Sequence, residues 1–144
     1  MNKRQKKVLG IIIGILFLAS CCMECYRVSG GLAIGSFGLM ALLLGWLNFD
    51  AVGLVWLANP LFLLSLILFL FSKKIKLALF LSAIACYLSL YFMQIEEIIK
   101  NEAGHVGEIT DYLLGYWLWV SANFTLVLTL IVHNIMSLLN TKHN

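Results

Sequence analysis

Charge is what this sequence most lacks. Only 12% of its 144 residues are Asp, Glu, Lys or Arg, roughly half the share of an ordinary soluble domain. Hydrophobic residues make up 62%, more apolar surface than a soluble chain of this length can hide. The deficit is concentrated in runs. Val8–Met23, Gly30–Phe49, Ala51–Ser72 and Leu77–Ile95 hold no acidic or basic residue, and Tyr112–Thr141 holds only His133 as an ionisable group besides tyrosine. A charge at a bilayer centre costs at least ~2.5–3.5 kcal/mol, so such runs read as membrane spans. Also missing are a phosphate-binding glycine loop, a nucleophile–base spacing and a pair of carboxylates inside any run. Those absences argue against the common enzyme classes. The net charge of +3 comes from short flanks of the apolar runs, which argues against nucleic acid as a partner.

What is present fixes an expected topology. A spanning helix needs about 20 residues. The expected fold is all-α: a four-transmembrane-helix bundle forming one membrane domain over 1–144, with spans at about 8–24, 51–72, 77–95 and 112–139. Lys3, Arg4, Lys6 and Lys7 precede the first span, as the positive-inside rule expects of a cytoplasmic N-terminus. If 30–49 stays outside, eight of the ten basic residues lie in the cytoplasm. Arg27 and Lys100 are then the two outside, and all seven acidic residues are external: Glu24, Asp50, Glu96, Glu97, Glu102, Glu108 and Asp111. If 30–49 spans, the basic residues divide five and five and the bias vanishes. The count therefore favours N-in/C-in, with 30–49 as an external interfacial or re-entrant apolar segment and 95–111 as a solvated acidic loop. Within that loop Glu96 and Lys100 have the spacing of an i,i+4 helical pair, and His105 with Glu108 is a nonspecific cation-ligand spacing. Tyr26, Trp46, Trp56, Tyr87, Tyr91, Tyr112, Tyr116, Trp117 and Trp119 all fall near the expected outer interface, where amphipathic rings prefer to sit.

Four local features bear on chemistry. Leu18-Ala19-Ser20-Cys21 matches a bacterial lipobox after a basic and then an apolar stretch. Cleavage there would make Cys21 the lipidated N-terminus of a lipoprotein with three remaining spans. Cys22-Met23-Glu24-Cys25 competes for the same residues. An external C-x-x-C on a four-span chain is similar to the quinone-linked disulfide-oxidising membrane proteins, which would make Cys22 and Cys25 the weak catalytic candidates. Those proteins carry a second external cysteine pair, and 95–111 has none. Asn59-Pro60 interrupts the second span, because proline lacks the N–H and displaces the carbonyl four residues back. The expectation is a kink in which Asn59 satisfies a freed backbone group. In the fourth span Ser121, Thr125, Thr129, His133 and Ser137 recur every four residues as a polar ridge, with Asn123 and Asn134 beside it; such groups bond within the helix or to neighbouring helices. Gly10-x-x-x-Gly14 and Ala78, Ser82, Cys86 are small-residue faces that permit close helix approach.

Gly45-Trp46-Leu47, then Trp56-Leu57-Ala58-Asn59-Pro60, then Gly115-Tyr116-Trp117-Leu118-Trp119 resemble strings in a family of small uncharacterised four-span bacterial inner-membrane proteins. The resemblance covers roughly 45–128. It implies a multi-pass inner-membrane protein and transfers no activity. The expected function is a non-enzymatic accessory, interaction or immunity-type protein. Its expected partners are the lipid bilayer and a membrane protein or second copy; no cofactor and no metal site are expected. The alternatives are a thiol–disulfide oxidoreductase and the Cys21 lipoprotein.

Overall fold

The computed structural model describes residues 2–31, 33–48, 50–72, 74–100 and 104–142. It is mostly helical, with a small sheet. The helices are α1 (Lys3–Cys21), α2 (Gly38–Leu44), α3 (Ala51–Trp56), α4 (Ala58–Phe71), α5 (Ile75–Tyr91) and α6 (Leu114–Lys142), and the strands are β1 (Tyr26–Val28), β2 (Glu97–Ile99) and β3 (Val106–Tyr112). Three stretches are long and apolar enough to cross a membrane: Ala51–Phe71, Ile75–Gln94 and Leu114–Leu139. They coincide with the last three expected spans to within a few residues. Helix α1 starts at an Asn2 capping box, with Asn2 Oδ1 accepting from Gln5 N at 2.8 Å. Its basic first turns set it apart from the three long apolar stretches.

Helices α1, α4, α5 and α6 pack side by side, each against its neighbours in that cyclic order. Their shared core holds Ile13, Phe17, Phe62, Leu66, Phe69, Leu126 and Leu130, with Phe17 and Phe62 stacked at 4.8 Å between ring centroids. Small residues set the spacing as expected for Ala78, Ser82 and Cys86, which are buried. The Ser65 hydroxyl donates across to the Ala78 carbonyl at 2.7 Å. Gly10 abuts the Leu70 side chain, whereas Gly14 faces open space. One end of this assembly carries the lysines. There Lys6 Nζ lies 5.3 Å from the Phe69 ring centroid, and Phe69 meets His133 edge-on. The start of α1 and the end of α6 are therefore at the same end.

The opposite end is built differently, and the sequence did not announce it. The described residues of 95–111 are strands rather than an irregular loop, while Glu96, Glu97, Glu108 and Asp111 are exposed as a solvated acidic segment requires. Residues of β2 and β3 form an antiparallel hairpin, and β1 adds to the other edge of β3, giving the order β1-β3-β2. Tyr26 faces Tyr112 and Ile98 faces Gly107. Glu97–Ile99 is extended, so Glu96 and Lys100 stand about 13 Å apart along a strand at ~3.3 Å per residue. The i,i+4 helical pairing is thereby excluded. Glu102 lies outside the described residues. The 30–49 segment forms a helical cap: α2, seven residues long, spans about 10 Å at 1.5 Å per residue, too little to cross a ~30 Å core. A second core of Tyr26, Val28, Ala33, Val55, Phe92, Ile98, Tyr116 and Val120 fills this end, and Trp119 packs against both cores.

Candidate functional site

The sheet end is held by a backbone seam made from Met23, Glu24 and Cys25. Cys25 N donates to Ser36 O at 2.7 Å and Gly38 N donates to Met23 O at 2.9 Å, joining the seam to the cap. On its other side Leu113 N donates to Cys25 O at 2.8 Å and Gly115 N to Glu24 O at 3.0 Å, joining it to the start of α6. Two glycines make this approach feasible. A Cβ at Gly38 would strike the Ser20 carbonyl oxygen, and one at Gly115 would come within 2.6 Å of Glu24 O. Trp56 ties the cap to α3 by donating its indole N–H to Leu42 O at 2.8 Å.

Beneath the cap lies a chamber of about 260 Å³. It is lined by Phe17 of α1, by Met40 and Ala41 of the cap, by Val52 and Val55 of α3, by Tyr26 and Ile98 of the sheet and by Tyr116 and Trp119 of α6. Polar side chains in the wall include Ser20, Cys21, Cys25, Tyr26, Asn48, Asn59 and Lys100, with Tyr116, Trp56 and Trp119 already donating to Ser89 O, Leu42 O and Asn59 Oδ1. Among the described residues neither a histidine nor a carboxylate lines it.

The residues singled out from the sequence fall as follows. Cys21, Cys22, Cys25 and Cys86 are free thiols. Cys21 is buried against the cap, Cys22 is exposed and Cys25 is half-buried with its Sγ directed to Met23 O at 3.8 Å. Burial, with a smaller contribution from Cys21, pushes the Cys25 thiol up to about 12. A nucleophilic thiol needs the opposite shift. Asn59 and Pro60 sit just after a break at Leu57 that separates α3 from α4. Asn59 does not repair the backbone: its Oδ1 accepts the Trp119 indole N–H at 2.9 Å, while Leu61 N still reaches Leu57 O at 3.2 Å. The broken helix thus opens onto the chamber. The fourth-span ridge does not form a single interface. Ser121 and Ser137 are exposed, Thr125, Thr129 and His133 half-buried, and the Thr125 hydroxyl bonds back to Ser121 O at 2.7 Å. Asn123, beside the ridge, is buried, with Nδ2 on Trp119 O at 3.0 Å and Oδ1 without a partner among the described residues. No three of His, Cys, Asp and Glu converge as a metal site among the described residues.

The aromatics divide into two groups. Trp46, Trp117, Tyr87 and Tyr91 are exposed, as an interfacial belt requires. Tyr26 and Tyr116 are instead core residues, at 4% and 1% exposure. Tyr116 donates to Ser89 O at 3.0 Å and Tyr112 to Phe92 O at 3.3 Å, and rings of Phe92, Tyr112 and Tyr116 contact one another. Sequence reasoning missed Tyr26 and Lys100 as chamber residues. The available signal was that Lys100 is one of two basic residues on the side expected to be otherwise acidic.

Taken together, the arrangement is a half-open, mostly apolar cavity with a few polar groups in its wall. Among the described residues its lining holds neither a carboxylate nor a histidine that could serve as a base. No protein-family model matches the chain, and neither a curated protein nor a solved structure is significantly similar to it.

Proposed function

We propose that the chain is a four-span protein of the bacterial inner membrane, with both ends cytoplasmic, acting as a non-enzymatic accessory or interaction protein through its sheet-end module. Immunity to a membrane-active toxin is one concrete form of such a role. The observation that carries the four-span reading is the outward face of α1. Ile11, Ile12, Ile15 and Leu18 are exposed while Ile13 and Phe17 of the same helix are buried in the shared core. A helix apolar on both its packed and its unpacked face belongs in lipid. At 19 residues it is about 28 Å long, enough to span with its lysines at the headgroups. The same packing argues that α1 is retained, and burial of Cys21 argues against its lipidation. The non-enzymatic reading rests on the cavity's lining, which is mostly apolar and among the described residues has no carboxylate or histidine, and on the burial that raises the Cys25 thiol.

The orientation is tested in spheroplasts with a variant keeping only Cys22, the exposed cysteine. A membrane-impermeant maleimide is expected to label it without permeabilisation. Labelling only after lysis would reverse the topology. Replacing Cys22 and Cys25 by Ser is expected to leave the redox state of periplasmic thiols unchanged; an accumulation of reduced thiols would instead establish the oxidoreductase.

A further inference from the structure

The cap is registered against a stretch whose length sets its own depth in a bilayer. Ala51–Phe71 has 21 residues, about 31 Å at 1.5 Å per residue, which matches a ~30 Å hydrocarbon core. Ala51 therefore stands near the level where hydrocarbon begins, and Trp56, five residues on, lies about 8 Å below it. The cap follows that scale inward and out again. Gly38 enters against the Ser20 carbonyl near the end of α1, its N–H bonded to Met23 O. At the bottom, Leu42 O accepts the Trp56 indole N–H at 2.8 Å, and Gly45 lies against the Trp56 ring. On the way out, a Cβ at Gly53 would strike Asn48 O, so Asn48 is back near the level of Ala51.

The outward side of this excursion is apolar. Leu39, Met40, Leu43, Leu44, Trp46 and Leu47 are 39–55% exposed, the range of Leu63, Leu64 and Ile67 on the unpacked face of α4. Leu54 and Leu57 of the adjoining stretch are exposed as well, and no acidic or basic residue falls within 30–49. Such a patch is a liability in water. The Trp46 ring adds a more specific sign. It is exposed, yet its indole N–H donates to Leu43 O at 2.8 Å. A ring in water can leave that bond to solvent, whereas a ring in hydrocarbon must turn its polar atom back on the chain.

We propose that the cap is re-entrant: residues 38–47 dip into the leaflet at the sheet end to the depth of Trp56, and lipid acyl chains cover their outward face. The inference rests on the four-span reading for the level of Ala51. It also narrows the interaction role. A lipid-covered cap leaves the strands, with Glu97, Glu108 and Asp111 exposed, as the face that a partner in water can reach.

The full-length chain is reconstituted in phosphatidylcholine nanodiscs, which expose both faces, so the assay does not depend on orientation. Cys22→Ser and Cys25→Ser remove the reachable thiols, and Cys21 and Cys86 stay buried. One nitroxide at a time is then attached at Leu43→Cys on the cap, Leu64→Cys on α4 or Glu108→Cys on the strands, all exposed positions. Electron paramagnetic resonance reads collisions with oxygen, which concentrates in hydrocarbon, and with a water-soluble nickel chelate. Leu43→Cys is expected to match Leu64→Cys, with nickel collisions several-fold below those at Glu108→Cys. Leu39→Cys and Leu47→Cys are expected to fall between, because the cap descends and returns. Near-UV circular dichroism checks that each labelled chain is folded. Nickel collisions at Leu43→Cys as frequent as at Glu108→Cys put the cap in water and overturn the proposal. Shielding of Leu43→Cys from both reagents means that protein covers the face, this chain's own or a second copy's, and overturns it too. Nickel access at Leu64→Cys would instead sink the span reading itself, so the two failures are told apart.

Discussion

The two ends of the helical assembly solve the same problem differently. At the lysine end α4 passes to α5 within a few residues, Ser72 N bonding back to Leu68 O at 3.0 Å. Charge sits on helix flanks, and among the described residues neither a strand nor a cap covers the helix ends. At the sheet end three connections are woven together: β1, β3 and the Met23–Cys25 seam join the exit of α1, the entry of α6 and the cap into one hydrogen-bonded layer. The lysine end needs only to be soluble in headgroups and water. The sheet end lines a half-open cavity of about 260 Å³, and irregular chain packed beside an apolar cavity needs partners for its backbone groups. The difference teaches that the elaborated end is where function is to be sought.

The sharpest way to break this contrast is Gly38→Ala. Its Cβ would meet the Ser20 backbone carbonyl, which cannot rotate away as a side chain could. The cap must lift or α1 must shift, at a cost of about 1–3 kcal/mol for overpacking. Unfolding in detergent micelles should show that loss, together with altered Trp56 emission as its bond to Leu42 O lengthens. Gly14→Ala, in α1 but facing open space, should cost nothing and serves as the control. Equal behaviour of the two would mean that the cap is not seated on α1.

Next in size is the Asn59–Trp119 bond, which crosses from the broken helix to α6 beside the chamber. Asn59→Ala leaves a half-buried indole N–H without its acceptor, at about 1–3 kcal/mol. The double cycle with Trp119→Phe should return a coupling of roughly 0.6–1.7 kcal/mol, the range for interhelical bonds in lipid. A coupling near zero would show that water already competes for both groups. Smaller still is Ser65→Ala in the middle of the bundle. Its hydroxyl reaches Ala78 O, a carbonyl already within a helix, so about 0.6 kcal/mol or less is expected from the same unfolding measurement. The order of these two effects tests whether cohesion is greater at the sheet end than in the bundle.

How much of this was readable beforehand follows from the physics of each part. Exclusion of charge from hydrocarbon is a strong local signal, so the long apolar stretches were legible to within a few residues. Pro60 marked the α3–α4 break for the same reason: a missing N–H acts where it stands. The cap's failure to span was legible only as a global count of lysines and arginines. The sheet was not legible. Its β1 and β2 strands have three residues each, too short for alternation to register, and β1 meets β3 only after most of the chain has intervened. Tyr26 and Tyr116 carry the same composition signal as interfacial aromatics, and only long-range pairing turns them inward. The chamber depends on all of these contacts, so its residues could not be assembled from local patterns.

The smallest expected effect on stability near neutral pH concerns the C-x-x-C, and it sharpens the comparison in a different way. The seam uses the backbone of Met23, Glu24 and Cys25 for structure, and burial raises the Cys25 thiol from an ordinary 9.0 to about 12. The thiolate is the reactive species, so iodoacetamide near neutral pH should modify exposed Cys22 well before Cys25. Cys25 should react only as the pH climbs toward its raised value. The sign for stability follows from linkage. The folded chain holds this proton more tightly than the unfolded chain, so the contribution is complete below about 9 and is lost as pH rises toward about 12. Mass-spectrometric mapping of alkylated peptides against pH reads the order of reaction directly. Should Cys25 react as fast as Cys22 at neutral pH, the seam opens on that timescale, the sheet end is no more closed than the lysine end, and thiol exchange returns as the stronger reading of this face.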